Sequence, residues 1–188
     1  MTSYDNQGRL KIITSSALAD LTDTTITAPA TGEVAVYDGD VGKWVNRSAV
    51  PISKMYKNVN QTFVTATSTQ LTWQVSDFDS LGANDLASDR FVVPYNGLYR
   101  LSGSIVCTGS WSGRLFMNLR VNGIYYEVQE RTTLAGTNVS MLYHTILRFN
   151  AGALLTMNAY QASGINQVMF SGANGEGTWL ALELLERT

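Results

Sequence analysis

Apolar and polar residues alternate along the stretch that follows Gly97. Tyr99 and Leu101 fall on one face of this stretch, and Arg100 and Ser102 fall on the other. A period of two is typical of a half-buried antiparallel strand. The pattern therefore predicts a long strand here.

The residues just before this strand favour a turn. Pro94 cannot donate a hydrogen bond to a sheet ladder, and Gly97 tolerates a positive φ. We therefore expect the chain to bend between Val93 and Leu98.

Similar apolar runs, separated by turn residues such as Asn122-Gly123, continue to the end of the chain, and none has the period of a helix. About eight strands at this spacing are typical of a two-sheet antiparallel sandwich of the jelly-roll kind, so we predict an all-β fold. The predicted strands are 71–75, 90–93, 98–107, 114–121, 125–130, 140–149, 154–161 and 179–185.

The first 55 residues differ in composition from the rest. They are rich in Thr, Asp, Ala and Gly, and their large apolar residues are too dispersed for an independent core. We therefore divide the chain into an extended N-terminal arm, 1–55, and a head domain, 56–188. The arm's candidate docking residues are Tyr4, Leu10, Ile12, Leu18, Leu21, Tyr37 and Trp44.

One part of the arm predicts a hairpin. Residues 33–37 alternate as a short strand, 38–42 form a turn rich in Asp and Gly, and 43–45 return as a second strand that places Trp44 near Val36 or Tyr37. An isolated two-stranded hairpin is marginal in water. The arm is therefore expected to lie against a partner surface.

The head resembles the trimeric jelly-roll heads of the tumour-necrosis-factor and complement-globular-head superfamily. The shared pattern is Phe91, Pro94 and Gly97-Leu98-Tyr99, then LRVNG at 119–123, LRFNAG at 147–152 and GTWLAL at 177–182. The chain departs from it at Ala153, where many relatives place Asp, and no collagen-like stem precedes the head. We therefore do not expect the calcium binding or the collagen stalk of that superfamily in this chain.

This resemblance implies a threefold homotrimer, formed through an exposed hydrophobic or aromatic face of one sheet. Large residues that alternation cannot place entirely inside one small core are the candidates for that face. They are Phe116, Tyr143, Tyr160 and Trp179. An aromatic core without a trimer is the alternative.

The N-terminal block resembles short modules of bacteriophage tail-fibre, head-fibre and other appendage proteins. The resemblance rests on Leu21-Thr22-Asp23, Pro29 and Gly32, Val36-Tyr37-Asp38 and the run GKWVN at 42–46. It implies a surface protein of a virion, made in the bacterial host cytoplasm.

Charge and hydropathy restrict the classes of partner that we expect for this chain. The net charge is -2 and the sequence pI is near 5.3, which gives little basis for binding phosphate backbones, so we expect no nucleic-acid partner. No apolar run approaches the roughly 20 residues of a membrane helix. The N-terminus also lacks a basic start followed by an apolar run, so we expect neither a membrane partner nor a secretory signal.

The sequence contains no catalytic constellation. Asp77, Asp79, Asp85 and Asp89 miss the spacing of an EF-hand, and His144 is the only histidine. Cys107 is the only cysteine and lies on the apolar face of a predicted strand. The glycine-rich run 172–177 precedes a strand and lacks the Lys-Ser/Thr of a phosphate loop. We expect no enzyme activity, no cofactor and no metal.

A sugar-binding role remains open at the aromatic residues. Trp111, in the turn-rich stretch 108–113, is the candidate ligand contact at the tip of the head, because loop tips often carry function on rigid sandwiches. A packing role for Trp111 is equally consistent with the sequence.

From these observations we predict that the chain is a structural protein of a bacteriophage virion. The expected form is a homotrimeric capsid decoration or head-fibre protein, which docks on a capsid protein through its N-terminal segment and displays the jelly-roll head. The alternative is a short tail-fibre or tail-tip protein, attached to a tail protein, whose head binds a host surface glycan. A glycan hydrolase is a distant third, because no pair of carboxylates is marked.

Overall fold

A computed structural model describes residues 3–4, 10–11, 24–25, 33–38, 42–48, 51–171 and 177–188. The chain divides into two compact units, Met1–Pro51 and Ile52–Thr188. Across the described residues every regular element is a β-strand, and no helix could span a membrane.

The N-terminal unit contains short strands. The strands β4 (Glu33–Asp38) and β5 (Lys43–Ser48) form the predicted hairpin, and Trp44 pairs with Tyr37. The strand β3 (Thr24–Thr25) adds to β5 in parallel, and β1 (Ser3–Tyr4) pairs with β2 (Leu10–Lys11). Strands of two residues are too short to give a hydropathy period, so the sequence did not predict them.

The head contains the other eleven strands. They are β6 (Ile52–Tyr56), β7 (Gln61–Phe63), β8 (Ser68–Gln70), β9 (Val75–Asp79), β10 (Asn84–Asp85), β11 (Arg90–Val92), β12 (Gly97–Val121), β13 (Ile124–Phe149), β14 (Leu154–Gln161), β15 (Gln167–Met169) and β16 (Trp179–Arg187).

Two long strands connect the two layers of the head. The first half of β12 pairs with β16 on one side and with the second half of β13 on the other. Strand β6 pairs with β16, and β9 pairs with β6. These strands form sheet A. The second half of β12 pairs with β14 and with the first half of β13, and β8 and β11 lie along the other edge of β14. These strands form sheet B.

Alternation fills the space between the sheets with apolar side chains. Leu101 and Leu182 from sheet A are fully buried in the same core as Leu115 and Met157 from sheet B. The all-β antiparallel sandwich expected from the sequence is confirmed. The predicted strands 98–107 and 114–121 are continuous within β12, with register shifts between Thr108 and Gly113, and the strands 125–130 and 140–149 are continuous within β13.

Two expectations at the start of the head differ from the structure. Residues 71–74 are not a strand, although Leu71 and Trp73 are buried in the core. The head's sheet begins at Ile52, whereas composition suggested residue 56. Strand β6 resembles a polar segment because its inward residues include Ser53, and Lys57 directly after it is also buried.

Gly97 has a different role from the one predicted. Its φ is not among the positive values, so it does not supply a left-handed turn. A Cβ at residue 97 would collide with the backbone carbonyl of Glu186 and would lie 2.8 Å from the Leu184 side chain. Glycine is required here because β12 and β16 approach too closely for any side chain.

The turn between the two long strands is the one the sequence predicts. Asn122 and Gly123 both have positive φ, 53° and 81°, which suits the tight turn of a two-residue hairpin. The Asn122 side chain also accepts a 2.9 Å hydrogen bond from the Leu154 backbone amide. This contact ties the turn to the start of β14.

Candidate functional site

The four aspartates of the 77–89 region have separate structural partners. Asp77 pairs with Lys54 at 2.7 Å, and Asp85 pairs with Arg90 at 2.8 Å. Asp79 accepts hydrogen bonds from the Ser53 hydroxyl and the Ala83 amide, and Asp89 accepts one from the Trp73 amide. The part of the chain that the structure describes contains no group of three or more metal-binding side chains.

Cys107 and His144 do not form a reactive pair. Cys107 is buried, and burial raises the pKa of its thiol to about 12, so the thiol remains protonated at neutral pH. His144 lies opposite Ser102 and is exposed, whereas Cys107 lies opposite Val139 five residues along the strand. Cys107 is a core residue.

Lys57 is a buried cation inside the head. Its side chain is fully inaccessible, and its ammonium group donates 2.8 Å bonds to the carbonyl and hydroxyl of Thr72 and a 3.0 Å bond to Gln61. Burial lowers the pKa of Lys57 from 10.5 to about 8, and the charge of Asp89 opposes this shift. The lysine holds the segments 57–61 and 72 together.

This pKa predicts a pH-dependent stability. The unfolded chain keeps the Lys57 proton up to a higher pH than the folded head, so the free energy of unfolding should rise as pH increases through the window from about 8 to 10.5. Between pH 7 and pH 10 the free energy of unfolding of the wild type should rise by roughly 2 kcal/mol relative to that of a Lys57→Met variant. Urea unfolding of both proteins checks this, and a constant difference would contradict it.

The predicted trimer residues do not share one face. Tyr143 lies in the core, only 1% exposed, and its hydroxyl donates a 3.0 Å bond to Glu127, so it offers no surface to a partner. Phe116 and Tyr160 form an edge-to-face pair at 5.5 Å on the outward side of sheet B. Trp179 is half-buried on the outward side of sheet A.

The outward side of sheet A carries a shallow groove of about 510 Å³. Its floor consists of small residues, with Ala181 directly opposite Ser102. Arg100 and Glu183 pair across the groove at 2.9 Å. The remaining lining residues are Ile52, Lys54 and Trp179.

Two apolar residues next to this groove were not among the predicted interface residues. Leu142 is 72% exposed and Ile146 is 46% exposed, and both project outward from β13 at the edge of sheet A. In register they lie opposite Ser104 and Arg100. Along residues 140–149 the outward face carries Leu142 and Ile146 among polar residues, so the sequence showed no clear apolar face there, and the interface was assigned to the inward face through Tyr143.

The structure describes only some of the remaining candidate residues. Tyr4, Leu10 and Tyr37 lie in β1, β2 and β4, and Trp44 lies half-buried in β5. Ile12, Leu18 and Leu21 lie outside the described residues, as does most of the glycine-rich run 172–177. Trp111 lies within β12 opposite Gly136, and its side chain is outside the description.

Comparison with known proteins identifies the fold. No protein-family model and no curated protein matches the sequence. The structure of Eiger TNF from S. frugiperda matches with a TM-score of 0.58 and 10% identity, covering 74% of this chain and 94% of that chain. The globular domain of the zebrafish complement 1qA protein matches with a TM-score of 0.52 and 11% identity, covering 73% and 99%. The chain therefore contains a jelly roll of the kind found in tumour necrosis factor and complement globular domains.

Proposed function

We propose that this chain is a non-enzymatic structural protein of a bacteriophage virion, a homotrimeric capsid decoration or head-fibre protein. The N-terminal unit docks on a capsid protein, and the jelly-roll head projects from the particle. The observation that carries the proposal is the outward side of sheet A, which combines a groove floored by small residues with protruding apolar residues beside it.

The geometry of this side fits association between copies. Ser102 and Ala181 leave room in the groove, while Leu142 and Ile146 extend from the neighbouring edge strand. A groove and a protrusion at different places on one surface fit a heterologous contact, and such contacts close into a ring when the rotation allows it. The jelly-roll resemblance implies that this ring has three members.

The N-terminal unit supports the docking role. Its sequence resembles phage appendage modules, and its described strands are no longer than six residues. Short strands bind partner surfaces by backbone hydrogen bonds and a few apolar anchors, and three linked copies multiply weak dockings into a stable attachment.

Incorporation into particles tests this function. Virions assembled with the full-length chain should retain it through gradient purification, and mass spectrometry should detect the chain in the purified particles. A chain lacking residues 1–51 should remain folded, as judged by circular dichroism, and should be absent from the particles. A virion that lacks the full-length chain would contradict the proposal, and tail-only fractions that carry it would favour the tail-fibre alternative.

A further inference from the structure

The outward side of sheet B carries polar and aromatic side chains that the virion role does not use. Three successive outward positions of β12 are Phe116, Asn118 and Arg120. Their partners on β14 are Tyr160, Asn158 and Thr156. Phe116 and Arg120 are four residues apart, so their Cα atoms are separated by roughly 13 Å.

Arg120 differs from four other arginines of the head. Arg90, Arg100, Arg114 and Arg148 each lie within 4 Å of a carboxylate. No carboxylate among the described residues lies that close to Arg120, whose guanidinium group instead stacks 4.0 Å from the Tyr125 ring. Within the described part of this chain, whose net charge is -2, Arg120 is therefore a cation that forms no ion pair.

The two asparagines are unusually buried for the outward side of a sheet. Asn118 and Asn158 are each only 6% exposed, and they lie directly opposite each other. The side-chain oxygen of Asn158 and the Nε of Arg120 are both buried without a hydrogen-bond partner. Buried polar groups are nearly always paired, and an unpaired one is costly unless a bound molecule satisfies it.

Aromatic rings lie at both ends of the asparagine pair. The Phe116–Tyr160 pair lies at one end, and Tyr125, which is 53% exposed, lies beside Arg120 at the other. Aromatic faces stack on the apolar faces of sugar rings, and amides bond to sugar hydroxyls. An arginine fork recognises a carboxylate in two-point fashion.

We propose that this surface, the Arg120 site, binds an acidic oligosaccharide that carries a carboxylate on one of its sugar rings. The carboxylate pairs with Arg120, a ring hydroxyl donates to the Asn158 oxygen, and a sugar ring stacks against Tyr125 or the Phe116–Tyr160 pair. The Asn158 oxygen is buried in the free protein, so binding requires a side-chain movement that uncovers it.

Other partner classes fit this surface less well. A peptide that adds as a strand needs a free sheet edge, whereas β12 and β14 are paired with each other here. A nucleic acid needs several cations, whereas Arg114 is already paired with Glu130 at 2.6 Å. The Arg120 site does not depend on the proposed virion role.

Calorimetric titration of the full-length protein with trigalacturonate tests the site, with cellotriose as the neutral probe. We expect saturable binding of trigalacturonate that weakens with added salt, and no binding of cellotriose. Arg120→Gln and Asn158→Ala should each weaken binding at least tenfold. Arg148→Gln removes the same charge from sheet A and should leave the affinity unchanged.

Thermal unfolding midpoints check that each variant is folded. If Asn158→Ala does not fold, Arg120→Lys replaces it as the second test variant. Lysine keeps the charge but lacks the planar fork, so its affinity should lie between those of the wild type and Arg120→Gln. Absence of saturable binding, equal loss in Arg148→Gln, or equal binding of cellotriose would overturn the site. Absence of binding together with an Arg120 Nε proton that is hydrogen-bonded in the free protein's NMR spectrum would show that Arg120 and Asn158 satisfy each other instead.

Discussion

Replacing Gly97 with alanine is expected to lower the free energy of unfolding of the head by about 3 kcal/mol, the upper part of the range for overpacked sites. The added Cβ would collide with the Glu186 carbonyl, which belongs to the sheet backbone, and would press on Leu184. A backbone atom cannot rotate away as a flexible side chain does. The strands β12 and β16 would have to separate where Gly97, the first residue of β12, pairs with Arg187, the last residue of β16.

Gly152→Ala is the matched control for this prediction. Gly152 has a positive φ of 80° but open space around its would-be Cβ, so alanine there costs only backbone strain, about 1–2 kcal/mol. Urea unfolding at one fixed protein concentration compares the two variants with the wild type. A Gly97→Ala protein as stable as Gly152→Ala would show that the close approach of β12 and β16 is wrong.

Leu142→Asp is expected to separate the proposed trimer into single folded chains. In one copy Leu142 is 72% exposed, so an aspartate there should cost the fold little. At the proposed interface each copy would lose about 1.5–3 kcal/mol of apolar burial and would also have to desolvate a carboxylate. Three such losses in every trimer should exceed what the interface can supply at micromolar concentration.

Ile165→Asp provides the control for Leu142→Asp. Ile165 is also largely exposed, at 59%, and it lies in the loop between β14 and β15 rather than on sheet A. Light scattering coupled to size-exclusion chromatography gives the mass of each variant, and circular dichroism checks that it is folded. Equal masses for the two variants would remove Leu142 from the interface.

The sequence predicted the fold best where strands are long and half-buried. Strand β14 was predicted with its observed bounds, 154–161, because its inward residues are regularly apolar. Strands β7, β8, β10 and β15 have two or three residues each, which is too few for a period to be recognised. Strand β6 was missed because polar Ser53 points inward with Met55.

The candidate surfaces were harder to predict than the fold. Along 140–149 the face that carries Leu142 is mostly polar, and only the paired strands show that Tyr143 is buried in the core while Leu142 is exposed. Phe116 was predicted as an interface residue, whereas Asn118 and Arg120 looked like ordinary outward positions of a strand. Their alignment with Tyr160 and Asn158 depends on the register between β12 and β14, and one sequence does not reveal register.

Sedimentation equilibrium of the full-length protein at micromolar concentration tests the central claim most directly. The proposed trimer predicts a mass three times that of the 20.5 kDa chain, unchanged on tenfold dilution. A mass equal to one chain across the same concentrations would contradict the trimer and, with it, the proposed mode of attachment.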